Sequence, residues 1–307
     1  MKILHAASEL QPGLRKVCAA IGVFDGVHLG HQQVIRQACV DAHQHEGLSV
    51  VITFDRHPNA VVAPAKNPPL IYSLEQKLRV IGSLGVDAIL LLRFDEAFSR
   101  ITGETFVRDL ARDFQTLHSL CVGATFTFGH KRSGNVALLQ QLGKELNFTV
   151  HGLSAVSLDN RIVSSTRIRE AIISGNLYAA GQMLGRPYSV AGRVERGDQL
   201  GRQIGFPTAN INTTGLALPP NGVYAAHVLH QGQSLRAVLN IGHRPTVNPT
   251  ISAPKLEVHL LDFAGDIYGE ELEIVFVQKL RDEQKFNSLE ALKAQIQRDV
   301  EAARALF

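Results

Sequence analysis

The chain has few cysteines, and their spacing excludes several classes of site. Its 307 residues include three cysteines, Cys18, Cys39 and Cys121, and none of them forms a CxxC pair. This pattern excludes a disulfide framework and a zinc site built on cysteine. It is typical of a reduced, cytoplasmic protein.

Long apolar segments and strong charge are also lacking. No apolar stretch approaches the ~18 residues of a membrane span, and the opening MKILHAASEL lacks the apolar core of a signal peptide. The net charge is +3, and no run of Lys and Arg exceeds two residues. We therefore expect neither nucleic acid nor membrane as a partner, whereas small anionic molecules fit this charge. Self-association is left open.

The remaining composition supports two folded domains. Hydrophobic residues make up 45% of the chain and charged residues 19%, enough for packed cores. Helix-like and strand-like segments alternate over residues 1–186, which predicts βαβ units around a parallel, Rossmann-like sheet. Short β-rich segments separated by Gly, Pro and Asn follow over residues 187–307. They predict an antiparallel β-barrel closed by a C-terminal helix that begins at Ser288.

Hydrophobic periodicity gives the approximate bounds of these elements. The predicted strands of the first domain are 17–24, 48–54, 87–94, 119–124 and 148–153. One predicted helix begins near residue 30, and another is capped by Ser73 and extends to Leu84. Further predicted helices cover 104–117 and 136–146, and one more opens at 163–169. The predicted barrel strands are 188–194, 223–229, 235–241, 256–261 and 272–277.

The stretch FDGVHLGHQQVIRQA places two histidines, His28 and His31, where a strand becomes a helix. Gly26 and Gly30 permit a sharp turn, and a helix N-terminus that follows such a turn binds phosphate. Both imidazoles can donate hydrogen bonds to phosphate oxygens, and if charged they would stabilise the charge of a transition state. Structural histidines remain an alternative. A zinc pair is another, although no third ligand stands at a recognisable spacing.

A second stretch, VSSTRIR, opens another predicted helix. Ser164, Ser165 and Thr166 supply hydroxyl groups, and Arg167 and Arg169 supply fixed positive charge. Such a cluster can hold the outer phosphates of ATP. A simple helix N-cap with solvated arginines explains the same residues.

The second half has no GxxxxGK[ST], which excludes a P-loop kinase. Gly197, Gly201 and Gly205 instead predict a flexible loop whose amides can cover phosphates. Thr208 and Asn210 offer hard oxygen ligands suited to Mg²⁺ beside a phosphate. The alternative for this PTAN segment is a turn that leads into a strand.

Glu257 lies in an apolar predicted strand and faces opposite Val258. Phosphoryl transfer to an alcohol needs a base beside the hydroxyl group, and a carboxylate in this strand can supply it. An ordinary outward-facing polar residue fits the period-two pattern equally well.

Together these segments resemble one family of bacterial enzymes. GVFDGVHLGH and VSSTRIR resemble the two ATP motifs of the adenylyltransferase module in bifunctional riboflavin kinase/FAD synthetases. They also resemble the wider nucleotidyltransferase superfamily, which includes class I tRNA synthetases. GRQIGFPTANI, GVYAA, NIGHRPTV and LEVHLLDFAGDIYGEEL are similar to successive segments of riboflavin kinases, in the same order. The resemblance covers nearly the whole chain.

The resemblance implies an FMN adenylyltransferase in residues 1–186 and a riboflavin kinase in residues 187–307. Riboflavin would be phosphorylated with ATP to FMN, and FMN adenylylated with ATP to FAD and pyrophosphate, with Mg²⁺ as cofactor. It implies catalytic roles for Glu257, His28 and His31. The implied ATP site of the first half comprises Gly22, Phe24, Asp25, Gly26, His28, His31, Ser164, Ser165, Thr166 and Arg169. A flavin or nucleotide loop would contain Phe128, Gly129 and Arg132. The implied ATP site of the kinase comprises Gly201, Gly205, Thr208 and Asn210, with the last two as metal ligands.

Two positions depart from the family pattern. Thr125 stands where an acidic or amide residue is usual, and Arg56 stands where proline is common, although His57 and Pro58 match. The loop over residues 125–135 fits a solvated basic surface as well as a binding loop.

Two other functions are compatible with parts of the sequence. A tRNA-synthetase-like adenylating protein would need an anticodon-binding or basic domain, whereas the second half is a mildly charged barrel. A non-enzymatic flavin- or nucleotide-binding regulator would not need the intact set of His28, His31, Ser165, Arg169, Thr208 and Glu257.

Overall fold

The computed structural model describes residues 1–197, 200–242 and 254–307, with the backbone alone for Leu200 and Arg202. Two compact units divide the chain. The first comprises Met1–Leu70, Leu74–Arg167 and Met183–Gly185, and the second comprises Ile71–Ser73, Ile168–Gln182 and Arg186–Phe307. Each unit is described separately below.

The first unit contains one large parallel sheet and two small two-stranded ladders. Its strands are β1 (Lys2–Leu4), β2 (Val17–Ile21), β3 (Leu48–Phe54), β4 (Ala88–Leu92), β5 (Leu117–Gly123), β6 (Thr127–Phe128), β7 (Gly134–Asn135), β8 (Thr149–Leu153), β9 (Ser157–Leu158) and β10 (Arg161–Ile162). The large sheet has the order β1-β4-β3-β2-β5-β8, and all of its neighbours are parallel. The βαβ architecture predicted from the alternating pattern is confirmed.

The strand order determines where a ligand can enter this sheet. The chain moves outward from β2 through β3 to β4 on one side, and through β5 to β8 on the other. Ligands of open α/β sheets bind at the carboxyl ends of the strands where the order reverses, here beside β2. Every residue of β2 and β3 is buried, so the centre of the sheet is a rigid support for that edge.

Helices cover this sheet, and their ends follow local signals. They are α1 (Leu29–Gln44), α2 (Asn59–Val62), α3 (Leu74–Gly82), α4 (Glu96–Ser99), α5 (Gly103–Phe114) and α6 (Val136–Leu146). Strand 48–54 and helix 136–146 match their predicted bounds. The helix predicted to reach residue 117 ends at Phe114 because Gln115 is left-handed, with φ of 59°, and the chain then enters β5.

Two helices and a barrel follow. The helices α7 (Ser165–Ile173) and α8 (Leu177–Leu184) precede the barrel, and α9 (Leu200–Gln203) and α10 (Leu289–Arg304) belong to the second unit. The barrel strands are β11 (Ser189–Glu195), β12 (Ala209–Ile211), β13 (Gly222–His230), β14 (Gln233–Gly242), β15 (Lys255–Leu260) and β16 (Glu271–Arg281).

The predicted antiparallel barrel is confirmed. It is closed, and its strand order is β11-β12-β15-β14-β13-β16, where β12 is added to the five predicted strands. The alternative interpretation of PTAN was a turn that leads into a strand, and β12 is that short strand. The predicted turn over residues 244–250 lies outside the described residues. None of the helices in the described part of the chain combines the length and hydropathy that a membrane span requires.

A buried ion pair fixes the C-terminal helix to the barrel. The helix predicted from Ser288 is α10, and Ser288 is its N-cap, which accepts a hydrogen bond from the amide of Ala291 (3.1 Å). Further along, Asp299 accepts hydrogen bonds from both Nε (2.9 Å) and Nη2 (2.8 Å) of Arg281, the last residue of β16. The two side chains are only 17% and 6% exposed.

We expect Asp299→Ala to lower the free energy of unfolding of the second unit by about 3–5 kcal/mol, because it leaves the buried Arg281 charge without its carboxylate. Calorimetry or urea denaturation measures this change. Asp282→Ala is the matched control, since its ion pair with Lys279 is exposed and such a pair contributes little to stability. Equal effects of the two substitutions would show that the buried pair is not the stabilising contact.

Candidate active sites

The turn that follows β2 has an unusual backbone. Phe24, Gly26 and Val27 have φ values of 53°, 78° and 42°. Only glycine adopts such values without strain, and a β-branched residue such as Val27 is a marked exception. Gly22 leaves room for the Phe24 ring, whose Cε1 would lie 2.9 Å from a Cβ at position 22. A strained conformation of this kind persists only where its surroundings hold it.

Side chains from neighbouring segments hold the main chain of this turn. Nε2 of Gln32 donates to the carbonyl oxygens of Val27 (2.9 Å) and Leu184 (2.8 Å). Oγ1 of Thr53, near the end of β3, donates to the carbonyl oxygen of Val23 (3.1 Å). The turn is therefore fixed from α1 and from β3.

The two histidines are stacked at the start of α1. His28 is the N-cap, and its Nδ1 accepts a hydrogen bond from the amide of His31 (3.3 Å). Their ring centroids lie 3.5 Å apart with an angle of 18° between the planes, and the edge of Phe24 contacts His31. Gly30 lies inside the helix rather than in the turn. Its role is to leave space, because a Cβ there would lie 3.2 Å from Cε1 of His28.

The protonation state of the pair follows from its surroundings. Burial, then the nearby His28 and Lys77, hold the pKa of His31 well below its usual range. Because Nδ1 of His28 accepts a hydrogen bond, its ring carries a proton on Nε2. Nδ1 of His31 is buried and has no hydrogen-bond partner among the described residues. His31 is therefore a neutral donor at pH 7, rather than the charged imidazole considered from the sequence.

The second motif meets the first. Oγ of Ser165 donates to the carbonyl oxygen of Asp25 (3.0 Å), and Asp25 itself is buried. Ser164 caps α7 by accepting from the amide of Arg167 (3.3 Å), whereas Thr166 is exposed. The structure therefore brings the N-termini of α1 and α7 to the same turn.

The two arginines of VSSTRIR differ in their surroundings. Nη1 of Arg167 donates to the carbonyl oxygens of Leu158 (3.2 Å) and Arg161 (3.0 Å). Its guanidinium group therefore holds the β9–β10 hairpin and is not the solvated charge considered from the sequence. Arg169 is buried and falls in the second unit.

The predicted binding loop follows β5, the neighbour of β2, so it starts at the same edge of the sheet. Phe128 stacks on Phe126 with centroids 5.2 Å apart. Gly129 has φ of 73° and packs against Gly103, whose amide nitrogen would lie 2.3 Å from a Cβ at position 129. Thr125 and Arg132 are exposed. The loop is therefore anchored at Gly129 and carries its polar side chains outward. At the end of β3, Arg56 pairs with Asp55 (2.9 Å).

A cavity of about 470 Å³ in the second unit is lined by four of the predicted kinase residues. Gly201, Thr208, Asn210 and Glu257 line it, together with an apolar wall that includes Phe286. Asn210, Glu257 and Asn240 stand opposite one another on the adjacent strands β12, β15 and β14, so their side chains share one face.

A second cavity of about 460 Å³ adjoins the same segment. Pro207, Thr208, Asp266, Phe263 and Tyr268 are among its lining residues. Thr208 lines both cavities and therefore stands at their common wall.

Glycines and one histidine shape the approach to Thr208. Gly201 lies in the short helix α9, so this part of the predicted flexible loop is helical. A Cβ at Gly201 would lie 2.3 Å from the carbonyl oxygen of Phe206. Gly205 has φ of 91° and is not part of the first cavity's lining. Nδ1 of His259 donates to the carbonyl oxygen of Pro207 (2.8 Å) and so fixes the residue before Thr208.

Several residues of both sites were not predicted from the sequence, namely Gln32, Thr53, Lys77, Asn240 and His259. One signal was available for Lys77, because it interrupts the apolar face of Leu74, Leu78 and Ile81 on α3. No group of three or more His, Cys, Asp or Glu side chains that could hold a metal ion occurs in the described ranges, so the zinc interpretation of His28 and His31 has no support there.

Known protein families and individual enzymes match this chain in sequence. The family model described as FAD synthetase matches residues 10–167, and the model described as riboflavin kinase matches residues 184–307. The bifunctional riboflavin kinase/FMN adenylyltransferase of Escherichia coli K12 is 39% identical over 100% of this chain and 98% of its own. The protein of that name from Pseudomonas fluorescens is 42% identical with the same coverage.

A solved structure shares the complete fold. The crystal structure of a Streptococcus pneumoniae protein described as a macrolide-efflux protein has a TM-score of 0.81 and 29% identity, and the match covers 99% of both chains. The two family models follow each other in the order predicted from the motifs, and the relatives are aligned from end to end. The chain therefore belongs to the bifunctional riboflavin kinase/FMN adenylyltransferases, enzymes of flavin biosynthesis that phosphorylate riboflavin with ATP to FMN and adenylylate FMN with ATP to FAD.

Proposed function

We propose that the two reactions take place at two separate sites of this chain, with the domains divided near residue 186. Adenylyl transfer is assigned to the turn between β2 and α1, and phosphorylation of riboflavin to the barrel cavities. The hydrogen bond from Ser165 to Asp25 supports the first assignment, because it joins the two ATP-type motifs. The position of Thr208 between two cavities supports the second.

In adenylyl transfer, a phosphate oxygen of FMN attacks the α-phosphorus of ATP. The bond from that phosphorus to the oxygen bridging the β-phosphate breaks, and pyrophosphate leaves. The FMN phosphate is already ionised at pH 7, so the site needs no base. It needs donors that stabilise charge on the α-phosphate oxygens, and the imidazoles of His28 and His31 fit this role. A bound phosphate would also supply an acceptor beside the buried Nδ1 of His31.

Helix α1 adds to the stabilisation of charge on the phosphate. Its N-terminal amides and the positive end of its dipole meet the turn at His28. The N-terminus of α7 reaches the same turn through Ser165. The loop with Phe128, Gly129 and Arg132 remains a prediction for flavin or nucleotide binding.

We expect His31→Ala to reduce FAD formation from supplied FMN by ~10²–10³-fold, the scale for loss of one preorganised donor. Riboflavin phosphorylation by the same protein should stay near the wild-type rate, which chromatography of the flavins measures. His43→Ala, an exposed position on the same helix, is the matched control. If both activities fall together while circular dichroism is unchanged, His31 has a structural role instead.

In the barrel, the geometry favours an in-line transfer across Thr208. The riboflavin hydroxyl would lie in the cavity with Glu257. The ATP phosphates would meet it at Thr208, beside Gly201 and Asn210, and the rest of the nucleotide would extend into the cavity with Phe263 and Tyr268. Glu257 accepts the hydroxyl proton, the oxygen attacks the γ-phosphorus, the bond to the bridging oxygen breaks and ADP leaves. Placing the base and the nucleotide on opposite sides of Thr208 fits this geometry.

Thr208 and Asn210 fit a magnesium ion by their chemistry. Both contribute hard oxygen atoms, they stand two residues apart, and both line the cavity with Glu257. We propose that they hold Mg²⁺ beside the phosphates of ATP, where the ion would neutralise phosphate charge. His259 supports this position by fixing the carbonyl group of Pro207. A cytoplasmic location remains a prediction, supported by the free cysteines.

Glu257→Gln keeps the shape of the side chain but removes its basicity. If Glu257 is the base, riboflavin phosphorylation should fall by ~10²–10⁴-fold, with the loss in kcat rather than in KM for riboflavin. FAD formation from supplied FMN should not change, because that chemistry needs no base.

Glu301→Gln, on the exposed face of α10, is the control for removal of a carboxylate from this unit. A Glu257→Gln enzyme within a few-fold of wild type would remove Glu257 from the mechanism. Unchanged kcat with a raised KM would make it a binding residue.

A further inference from the structure

Lys77 is a buried cation beneath the adenylyl-transfer turn. It stands on the apolar face of α3 and is 7% exposed. Its Nζ donates to the carbonyl oxygen of Phe54 (2.8 Å) and lies 3.3 Å from Oγ1 of Thr53 and 3.4 Å from the carbonyl oxygen of Val23. Phe54 ends β3 and Val23 lies just beyond β2. The ammonium group thus joins the carboxyl ends of the two central strands.

The hydrogen bonds that join these two strand ends do not require a positively charged donor. Gln32 holds the same turn from its other side with a neutral amide that donates to two carbonyl oxygens. A buried ammonium group costs more desolvation free energy than an amide that makes the same bonds. The use of lysine at position 77 therefore requires a further partner for its charge.

The charged and titratable groups around Nζ are Asp25 after β2, Asp55 after β3 and His31 on α1. Asp55 is already paired with Arg56. The two carboxylates do not compensate for burial, which lowers the pKa of Lys77 to about 8. The effect of burial on this cation therefore exceeds that of the two carboxylates, and a triphosphate at the turn would add further negative charge.

We propose that Lys77 is a positioning residue of the adenylyl-transfer site, which holds the Val23–His31 turn and places a fixed positive charge behind the triphosphate of ATP. It acts through the main chain of the turn and through its electric field, without contact with the reacting atoms. This inference rests on the placement of adenylyl transfer proposed above.

The proposal has a consequence for pH. Lys77 is charged below its pKa and neutral above it, so the free enzyme loses this charge as the pH rises through about 8. Because kcat/KM for ATP reports the ionisation of the free enzyme, it should decline above that pH. Riboflavin phosphorylation has no reason to show the same decline.

The test measures kcat/KM for ATP in FAD formation from pH 6.5 to 9.5 in full-length Lys77→Met and Lys77→Arg. Methionine keeps the length of the side chain without its charge, and we expect kcat/KM at pH 7 to fall by ~10²-fold, the scale for a displacement of about 1 Å. The alkaline decline should vanish. Arginine does not titrate in this range, so Lys77→Arg should keep more activity than Lys77→Met and show no decline near pH 8.

Three measurements complete the test. Lys144→Met, an exposed lysine on α6, should behave as wild type. Circular dichroism and the thermal unfolding of each variant report whether the first unit is folded, and riboflavin phosphorylation reports that the second unit is unaffected. Lys77→Met within three-fold of wild type, or a Lys77→Met enzyme that keeps the wild-type decline, overturns the proposal. A wild-type profile that stays flat to pH 9.5 overturns it without any variant. If His31→Ala leaves FAD formation intact, the site itself is misplaced, which is a separate failure.

Discussion

Three hydroxyl and amide donors hold one strained turn, and the first site depends on them. Gln32, Thr53 and Ser165 each donate to a carbonyl oxygen between Val23 and Val27. With these oxygens fixed, the positive φ values of the turn are retained despite their cost. The conformation of this turn determines where α1 begins, and the start of α1 determines where the two imidazoles stack. A ligand therefore binds to a backbone whose conformation is already fixed.

Under the proposed assignment, the two sites differ because their nucleophiles differ. A phosphate monoester is ionised at neutral pH, so the first site would rely on donors: imidazoles, helix N-termini and, by our inference, a buried lysine. An alcohol must lose a proton as it attacks, so the barrel would supply the carboxylate of Glu257 in β15. The same co-substrate, ATP, would therefore be surrounded by different residue types in the two halves, as the chemistry of each acceptor requires.

Local patterns predicted much of this fold. A run of buried β-branched residues gave β3, and periodic leucines gave α6, both with correct bounds. The motifs also indicated that His28, His31 and Ser165 belong near one another. These features depend on neighbours within a few residues, or on the rule that parallel strands present their carboxyl ends at one edge.

What the sequence did not reveal depends on contacts between distant segments. Gly30 was expected in a turn, but it lies in a helix and gives space to a ring that its own motif supplies. Arg167 was considered as a phosphate-binding charge or as a solvated arginine, but its guanidinium group binds a hairpin whose position only the folded chain defines. The neutral state of His31 follows from burial beneath several segments. The position of Thr208 between two cavities follows from closure of the barrel. No periodicity in the sequence encodes such relations.

The stacked imidazoles also explain the spacing of the HLGH motif. His28 caps α1, and His31 lies in the first turn of that helix. The interval between them therefore sets the relative rotation of the two side chains about the helix axis as well as their separation along it. Each residue of an α-helix advances the side chain by about 100°. Insertion or deletion of one residue between the two histidines would therefore turn one ring away from the other and remove the acceptor for the amide of His31. The motif should tolerate exchange of Leu29 far better than any change in its length.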